Sequence, residues 1–429
     1  MAATSLLAAC TTGGGSGSGG ATSAASGGGS SKPIKFWNMP WGGTAFNPLD
    51  KKITLAYKPK KGLPAATYQE IQWANFTQTF SSAIASNTGP AVSSGGGTQA
   101  FQFAEQGKIA YADHLLDTWK KNGLYDDFLP GVLDSMKTSK GYAAVPYNLD
   151  DRVMWYNKAL LQKAGVEPPT DWASYKSACA ALKKIGVFGF GVGAGTGNLI
   201  GSHILTAFMI NNGGGLFNAK QEPAVVTDRN VEAIEYVLEL IKSGYSDPRA
   251  ATYTNDNVYA QWKANKFGMG WDTAGASVSV GGTVAAQMVV GDPLTGPHGT
   301  KGGLYFPNNI MMYTNTPSQE GSEAFMTYYY QHMKELWTKK TGIGLPPLKS
   351  IADTSAVSSD PNTSKIINVW QPILKTWAAP GGAALFYNVA NTVDGTQPMI
   401  TFAQSIFGGK TDAKTALTTL SNSIEGLMK

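Results

Sequence analysis

Tyr147-Asn-Leu-Asp-Asp-Arg-Val-Met-Trp-Tyr-Asn-Lys158, continued by Ala-Leu-Leu-Gln-Lys-Ala-Gly-Val-Glu-Pro-Pro-Thr-Asp-Trp172, is the stretch on which the fold reading turns. Val153 to Tyr156 is short, apolar, and β-branched or aromatic, with charge before it and Asn157 after it, which predicts a buried strand of a mixed sheet. Ala159 to Ala164 makes one or two helical turns that Gly165 stops, and Thr170 is placed to cap a second helix. That second helix carries Trp172, Tyr175, Cys179 and Leu182 on one face and ends in Lys183, Lys184 and Gly186. Strand, turn and amphipathic helix make an α/β unit.

Working outward, Gly-Tyr-Ala-Ala-Val-Pro-Tyr147 precedes this block, and Asn148, Asp150, Arg152, Trp155, Tyr156, Asn157 and Lys158 fall in order on one family pattern. The segment resembles the crossover of the extracellular solute-binding proteins of ABC importers, in the sugar-binding branch that includes maltose-binding protein. The resemblance extends more diffusely from about Ile34 to the C-terminus. It implies an α/β, two-lobe periplasmic-binding-protein-like fold of type II, each lobe a mixed sheet flanked by helices, with hinge crossovers between them. The expected division is 32–147 plus 288–347 for one lobe and 148–287 plus 348–429 for the other. Crossings are expected near 146–151, 285–290 and 345–352.

The length agrees with this independently, since 429 residues exceed what one core usually supports. A net charge of +5 is spread along the chain without a dense Lys/Arg cluster, which argues against a nucleic-acid partner. No apolar run reaches the roughly 18 residues that span a bilayer. Leu7-Ala8-Ala9-Cys10 matches a lipobox, so residues 1–10 read as the end of a bacterial lipoprotein signal and Cys10 as the lipidated residue. Thr11 to Ser31 is nearly all Gly, Ser, Ala and Thr, a composition that stays a flexible coil and spans roughly 25 Å root-mean-square. Anchor, tether and binding body imply the outer face of a cell membrane, in a Gram-positive bacterium. Cys179, on an apolar helix face, reads as a small core residue.

Nearer the N-terminus, strands are expected at 32–38 and Ile53 to Tyr57, and one long helix over Thr67 to Ser86. Only Met39 to Lys52, with Pro40, Gly42, Gly43 and Pro48, separates the first two strands, so the helix that the resemblance places between them is expected to be shortened or lost. Ser93 to Gln99 reads as a strand-to-helix loop able to reach a ligand, and Gly193 to Asn198 as a glycine-rich turn into a helix over 199–211.

The chain holds 11 Trp and 18 Tyr, and a sugar site needs such rings: C–H faces of a pyranose stack on aromatic planes while its hydroxyls need fixed polar partners. Loop positions that pair the two types give the candidate binding set: Trp37, Asn38, Trp41, Gly97, Gln99, Asp151, Asn198, His203, Trp271, Asp272, Tyr305, Asn308, Phe386 and Tyr387. Alternatives stand beside several of them. Asp150 and Arg152 read as an ion pair across the hinge, His203 also fits a buried structural histidine, and Trp262 and Trp337 sit at packing positions.

Enzyme readings find little support. Asp126-Asp127 and Asp150-Asp151 are adjacent carboxylates that point apart in extended chain, whereas a glycosidase needs two facing one bond. Four scattered histidines offer no ligand spacing, and Gly15-Ser-Gly17-Ser-Gly-Gly20 lies in the tether without a strand or helix to serve. The expectation is a monomeric binding protein without cofactor or metal, not an enzyme, whose partners are an oligosaccharide of two to four units and a separately encoded permease. Binding of a peptide, a polyamine or an acidic sugar is the alternative within the fold.

Overall fold

Val153–Asn157 is the strand that the sequence predicts, and it lies in the middle of a three-stranded sheet, antiparallel to Met288–Val290 on one side and Met269–Asp272 on the other. This computed structural model describes residues 32–73, 76–97, 99–218, 222–376 and 393–428; Cys10, the 11–31 tether, Phe386 and Tyr387 lie outside them. Asn157 ends the strand and caps helix Lys158–Ala164 by accepting from Leu160 N, and Gly165 closes that helix in the left-handed conformation. The next helix, Trp172–Lys184, is capped one residue later than expected, by Asp171, which forms a reciprocal box with Ser174. Its Trp172, Tyr175, Cys179 and Leu182 are buried in a large apolar core built from residues between Leu149 and Ile424.

A seven-stranded sheet forms the other body. Its main order is Leu374–Lys375, Gly303–Tyr313, Val92–Gly95, Ile34–Asn38 and Ala66–Glu70, and Val145–Asp151 and Ile109–Ala110 also pair with Gly303–Tyr313. Ile34–Asn38 runs parallel to both Ala66–Glu70 and Val92–Gly95, so Asn38 and Gly95 finish at the same edge. Helices cover this sheet around apolar clusters centred on Phe36, Trp119 and Tyr330 and on Trp37, Phe80 and Phe101.

Three expectations are corrected here. Ile53 and Thr54 lie in helix Phe46–Leu55, whose buried face is Phe46, Asp50, Ile53 and Thr54. The helix between the first two strands is therefore present, and Pro48 falls in its first turn, where a missing N–H breaks no intrahelical bond. The second strand is Ala66–Glu70, and the helix expected over 67–86 is only Phe76–Ala85. The β-branched run Ile53-Thr54 imitates a strand, but Phe46, Asp50, Ile53 and Thr54 have helical spacing, and burial of that face decides.

Two long antiparallel strands pass between the bodies. In Gly303–Tyr313, Leu304 and Phe306 pack in the large core, whereas Ile310 and Met312 pack in the other. In Val145–Asp151, Val145 and Tyr147 lie on one side of the same boundary and Leu149 on the other. Val145–Asp151 and Gly303–Tyr313 are the paired strands that run from one core to the other, whereas Met288–Val290, near the crossing expected at 285–290, completes the small sheet instead. At the third crossing Leu345 and Leu149 exchange both backbone hydrogen bonds, at 2.8 and 2.9 Å. Met288, Val290 and Leu294 pack in the large core, and Leu348, Ile351 and Val357 in the other. The packing thus departs from the expected division at 288–302 and 348–358.

Candidate ligand-binding site

The carboxyl ends of parallel strands leave backbone and side chains free to meet a ligand, and Asn38 stands at such an end. Asn38 is fully buried: its Nδ2 donates to Asp50 Oδ2 at 2.6 Å, and its Oδ1 accepts from Met39 N and Trp41 Nε1, each at 2.9 Å. Ser94 Oγ, on the neighbouring strand, shares the same indole N–H at 3.0 Å. Trp41 is therefore held by two strands while its ring remains partly exposed. Trp73 stands edge-to-face with it, centroids 4.7 Å apart at 87°, and donates its own N–H to Pro40 O at 2.9 Å. With both N–H groups engaged, what these partly exposed side chains offer is aromatic surface in a fixed orientation.

Trp73 is a residue that the sequence reading missed. Folding 67–86 into one helix hides it, and its only signal is that it falls outside the apolar spacing of Tyr68, Ile71, Phe76, Phe80 and Ile84. Trp37, by contrast, turns inward against Phe80, as successive side chains of a strand alternate.

From this edge the contacts continue to the junction of the two bodies. A Cβ on Gly97 would come within 3.2 Å of Phe306 Cβ, so glycine there allows the loop after Val92–Gly95 to lie on the crossing strand. Phe306 in turn stacks at a tilt on His203, centroids 4.6 Å apart, and lies under the Arg152 guanidinium at 5.1 Å. Gln99 and Asn309 are buried beside Gly95. Asn308 Nδ2 donates to Asn148 Oδ1 at 3.0 Å across the paired crossing strands.

Arg152 organises the junction. It grips Asp150 through both terminal nitrogens, at 2.5 and 2.9 Å, and its Nε donates to His203 Nδ1 at 3.1 Å. Since Nδ1 accepts, Nε2 carries the proton and donates to Asp394 Oδ1 at 3.0 Å. Burial and the neighbouring guanidinium hold the His203 pKa below its usual value. The ion pair that the sequence suggests for Asp150 and Arg152 is thus present.

Three further acids complete the region. Asp151 is fully buried opposite Tyr305, and burial, reinforced by Asp150, pushes its pKa well above the carboxylate range; the Gln371 amide, turned to satisfy it, donates at 2.9 and 3.2 Å. Burial pushes Asp272 up to about 6, against its bond from Thr273 N at 2.7 Å and the Arg152 charge. Asp394 and Asp150 keep 21% and 19% of their side chains exposed, so these two carboxylates reach solvent. Partly exposed acids beside a cation already matched by Asp150 suit a neutral ligand with hydroxyl donors rather than an anion.

Two other expected contacts are engaged in packing. Trp271 lies between Tyr175 and Phe208, at 5.2 and 4.8 Å, within the large core. Asn198 uses its Nδ2 on Tyr253 O and its Oδ1 on Ile200 N, both at 3.0 Å, so it fixes the start of helix Ile200–Asn211. The geometry therefore brings together Asn38, Trp41, Gly97, Gln99, Asp151, His203, Asp272, Tyr305 and Asn308, and adds Trp73, Asp150, Arg152 and Asp394.

Residues 44–333 match the bacterial extracellular solute-binding protein family. The crystal structure of a sugar transporter from Arthrobacter chlorophenolicus A6 with bound laminaribiose is 52% identical, with a TM-score of 0.89 over 93% of this chain and 100% of that one. The acarbose-binding receptor of Streptomyces glaucescens GLA.O shares the fold at 21% identity, with a TM-score of 0.74 over 92% of this chain and 98% of its own. A putative binding protein of Brucella abortus (strain 2308) is 24% identical over 289 residues, 66% of this chain and 69% of that protein. With the family matched over residues 44–333 and two apolar bodies joined by crossing strands, this chain belongs to the bacterial extracellular solute-binding proteins.

Proposed function

We propose that this protein captures a β-linked glucose disaccharide between its two lobes and delivers it to the permease of an ABC importer. The observation that carries this reading is the 52% identity, over 93% of the chain, to a protein crystallised with laminaribiose. The local chemistry supports it: Trp41 and Trp73 offer fixed aromatic faces, and Asp150 and Asp394 offer hydroxyl acceptors at the lobe junction. A ligand touching both lobes binds the closed form better than the open one, and that difference drives closure. In this reading the protein binds without turnover, acts as a monomer, and is held outside the cell by a lipid on Cys10 and the 11–31 tether. We place the lobe division along the packing of the two cores, with 288–302 in the second lobe and 348–358 in the first.

Calorimetric titration against laminaribiose, cellobiose, gentiobiose and maltose, with a parallel assay for free glucose, tests the proposal. Saturable binding of a β-linked disaccharide with a Kd of about micromolar or below is expected. Absence of saturable heat across the panel, or release of glucose, overturns it.

Closure also depends on one glycine contact. Gly342 lies between Thr341, whose carbonyl accepts from Gly43 N at 2.7 Å, and Ile343 of the first core; Gly275 precedes Ala276 of the second. A Cβ added to Gly275 would collide with Gly342 O, a backbone atom that cannot turn away. Gly275→Ala is expected to hold the lobes apart at a cost of about 1–2 kcal/mol, weakening disaccharide binding about tenfold. Wild-type affinity together with the same decrease in radius of gyration on ligand addition as in the wild type would show that the lobes close without this contact.

A further inference from the structure

A buried carboxylate lies directly behind the aromatic platform, and the hydrogen-bond chain through it is continuous. Asp50 is on the buried face of helix Phe46–Leu55. Tyr329 OH donates to Asp50 Oδ1 at 2.5 Å and itself pairs with Tyr147 OH at 2.8 Å. Asn38 Nδ2 donates to Asp50 Oδ2 at 2.6 Å, and the same amide turns its Oδ1 to Trp41 Nε1 at 2.9 Å. An amide has one donor end and one acceptor end. Whatever fixes the donor end of Asn38 therefore fixes the acceptor that holds Trp41.

Resting on the sugar-binding reading above, we propose that Asp50 is a positioning residue for the ligand: ionised, it locks Asn38 so that Trp41 is held ready to stack, and protonated, it lets the amide turn over and loosens Trp41. An ionised carboxylate only accepts, so it demands the Nδ2 end of Asn38. A carboxylic acid carries its own O–H, which Asn38 Oδ1 can accept instead, and that orientation takes the acceptor away from both the indole and Met39 N, which Ser94 Oγ also meets at 3.3 Å. Ser94 Oγ would then hold Trp41 alone.

The groups facing Asp50 leave it as the one that changes charge in this pocket near neutrality. Tyr329 comes from helix Gln319–His332, Tyr147 from Val145–Asp151 and Tyr68 from Ala66–Glu70, and burial raises all three phenols. Glu70, at the end of the Tyr68 strand, adds a further negative charge acting on that phenol. Burial also pushes Asp50 up to about 6, against the bonds from Tyr329 and Asn38. The anion therefore prevails above that pH and the acid below it, so sugar affinity falls as the pH drops through about 6.

The test uses the full chain and begins without sugar. Intrinsic fluorescence of the sugar-free protein, minus that of Trp41→Phe, is followed from about pH 8 to about pH 5; a transition near pH 6 is expected in the wild type and none in Asp50→Asn. Laminaribiose titrations then form a cycle: Asp50→Asn weakens binding about three- to tenfold at pH 8 when Trp41 is present and has little effect in the Trp41→Phe background, where no indole N–H remains to be held. Asp272 also titrates near this range, but it does not touch Trp41, so it contributes equally to both backgrounds. Equal losses in both backgrounds, or a fluorescence difference that is flat with pH in the wild type, overturn the proposal. If no sugar binds the wild type at all, the functional reading fails, while the fluorescence arm still decides whether Asp50 controls Trp41.

Discussion

Trp41→Ala weakens disaccharide binding about 70-fold. A pyranose face lying on an indole removes on the order of 100 Å² of apolar surface from water, worth about 2.5 kcal/mol at about 25 cal/mol per Å². That gain is available only if the ring waits in place, since ordering a free side chain on binding costs roughly 0.5–1.5 kcal/mol. Here Asn38 Oδ1 and Ser94 Oγ order the ring in advance, and Trp73 packs perpendicular to it. Trp41→Phe keeps a smaller face and loses the N–H, so an intermediate loss of about tenfold is expected. Trp41 is only partly buried, so the melting temperature should move little in either variant. Calorimetry and thermal scanning on the same samples check both statements. A Trp41→Ala protein that binds within about threefold of wild type would remove the platform from the site.

The sequence made the local part of this architecture legible and left the long-range part hidden. Asn157, Gly165 and the face Trp172, Tyr175, Cys179 and Leu182 act within one or two turns of chain, so pattern and capping chemistry place them correctly. The run Ile53 to Tyr57 could not be placed that way, because a β-branched pair reads as strand until the helix carrying Phe46 and Asp50 is seen to bury them together. Misreading that run, and the neighbouring 67–86 segment, hid Trp73. Asn38 and Trp41 were legible as a polar residue next to an aromatic one, yet their coupling through Asp50 depends on Tyr329, 279 positions away. Trp271 and Asn198 show the reverse error. Both follow or sit in glycine-rich loops and look available, but Tyr175 and Phe208 enclose the one and Tyr253 and Ile200 engage the other.

Arg152→Ala lowers the stability of the protein by about 3–5 kcal/mol, the cost of leaving a buried charge pair with one partner. Arg152 is 4% exposed, and its guanidinium meets three needs at once: both oxygens of Asp150, the lone pair of His203 Nδ1 and the face of Phe306. Removing it leaves Asp150 without its cation and strips the donor that fixes the His203 tautomer facing Asp394. Arg152→Lys should recover little, because a single ammonium cannot span the Asp150 fork and the imidazole together. The double variant Asp150→Ala/Arg152→Ala should be less destabilised than Arg152→Ala alone, since no orphaned carboxylate remains. A pH signature accompanies the loss. In the wild type the depressed His203 pKa means that its contribution is present above the ordinary value of 6.5 and is lost as the pH falls toward the folded value. Arg152 helps to depress it, so in Arg152→Ala that acid loss shrinks even though overall stability is lower. Denaturant melts at several pH values measure both effects. A stability change below about 1 kcal/mol would mean that water replaces the guanidinium at this junction, and the lobes would then meet through a solvated hinge instead of a locked one.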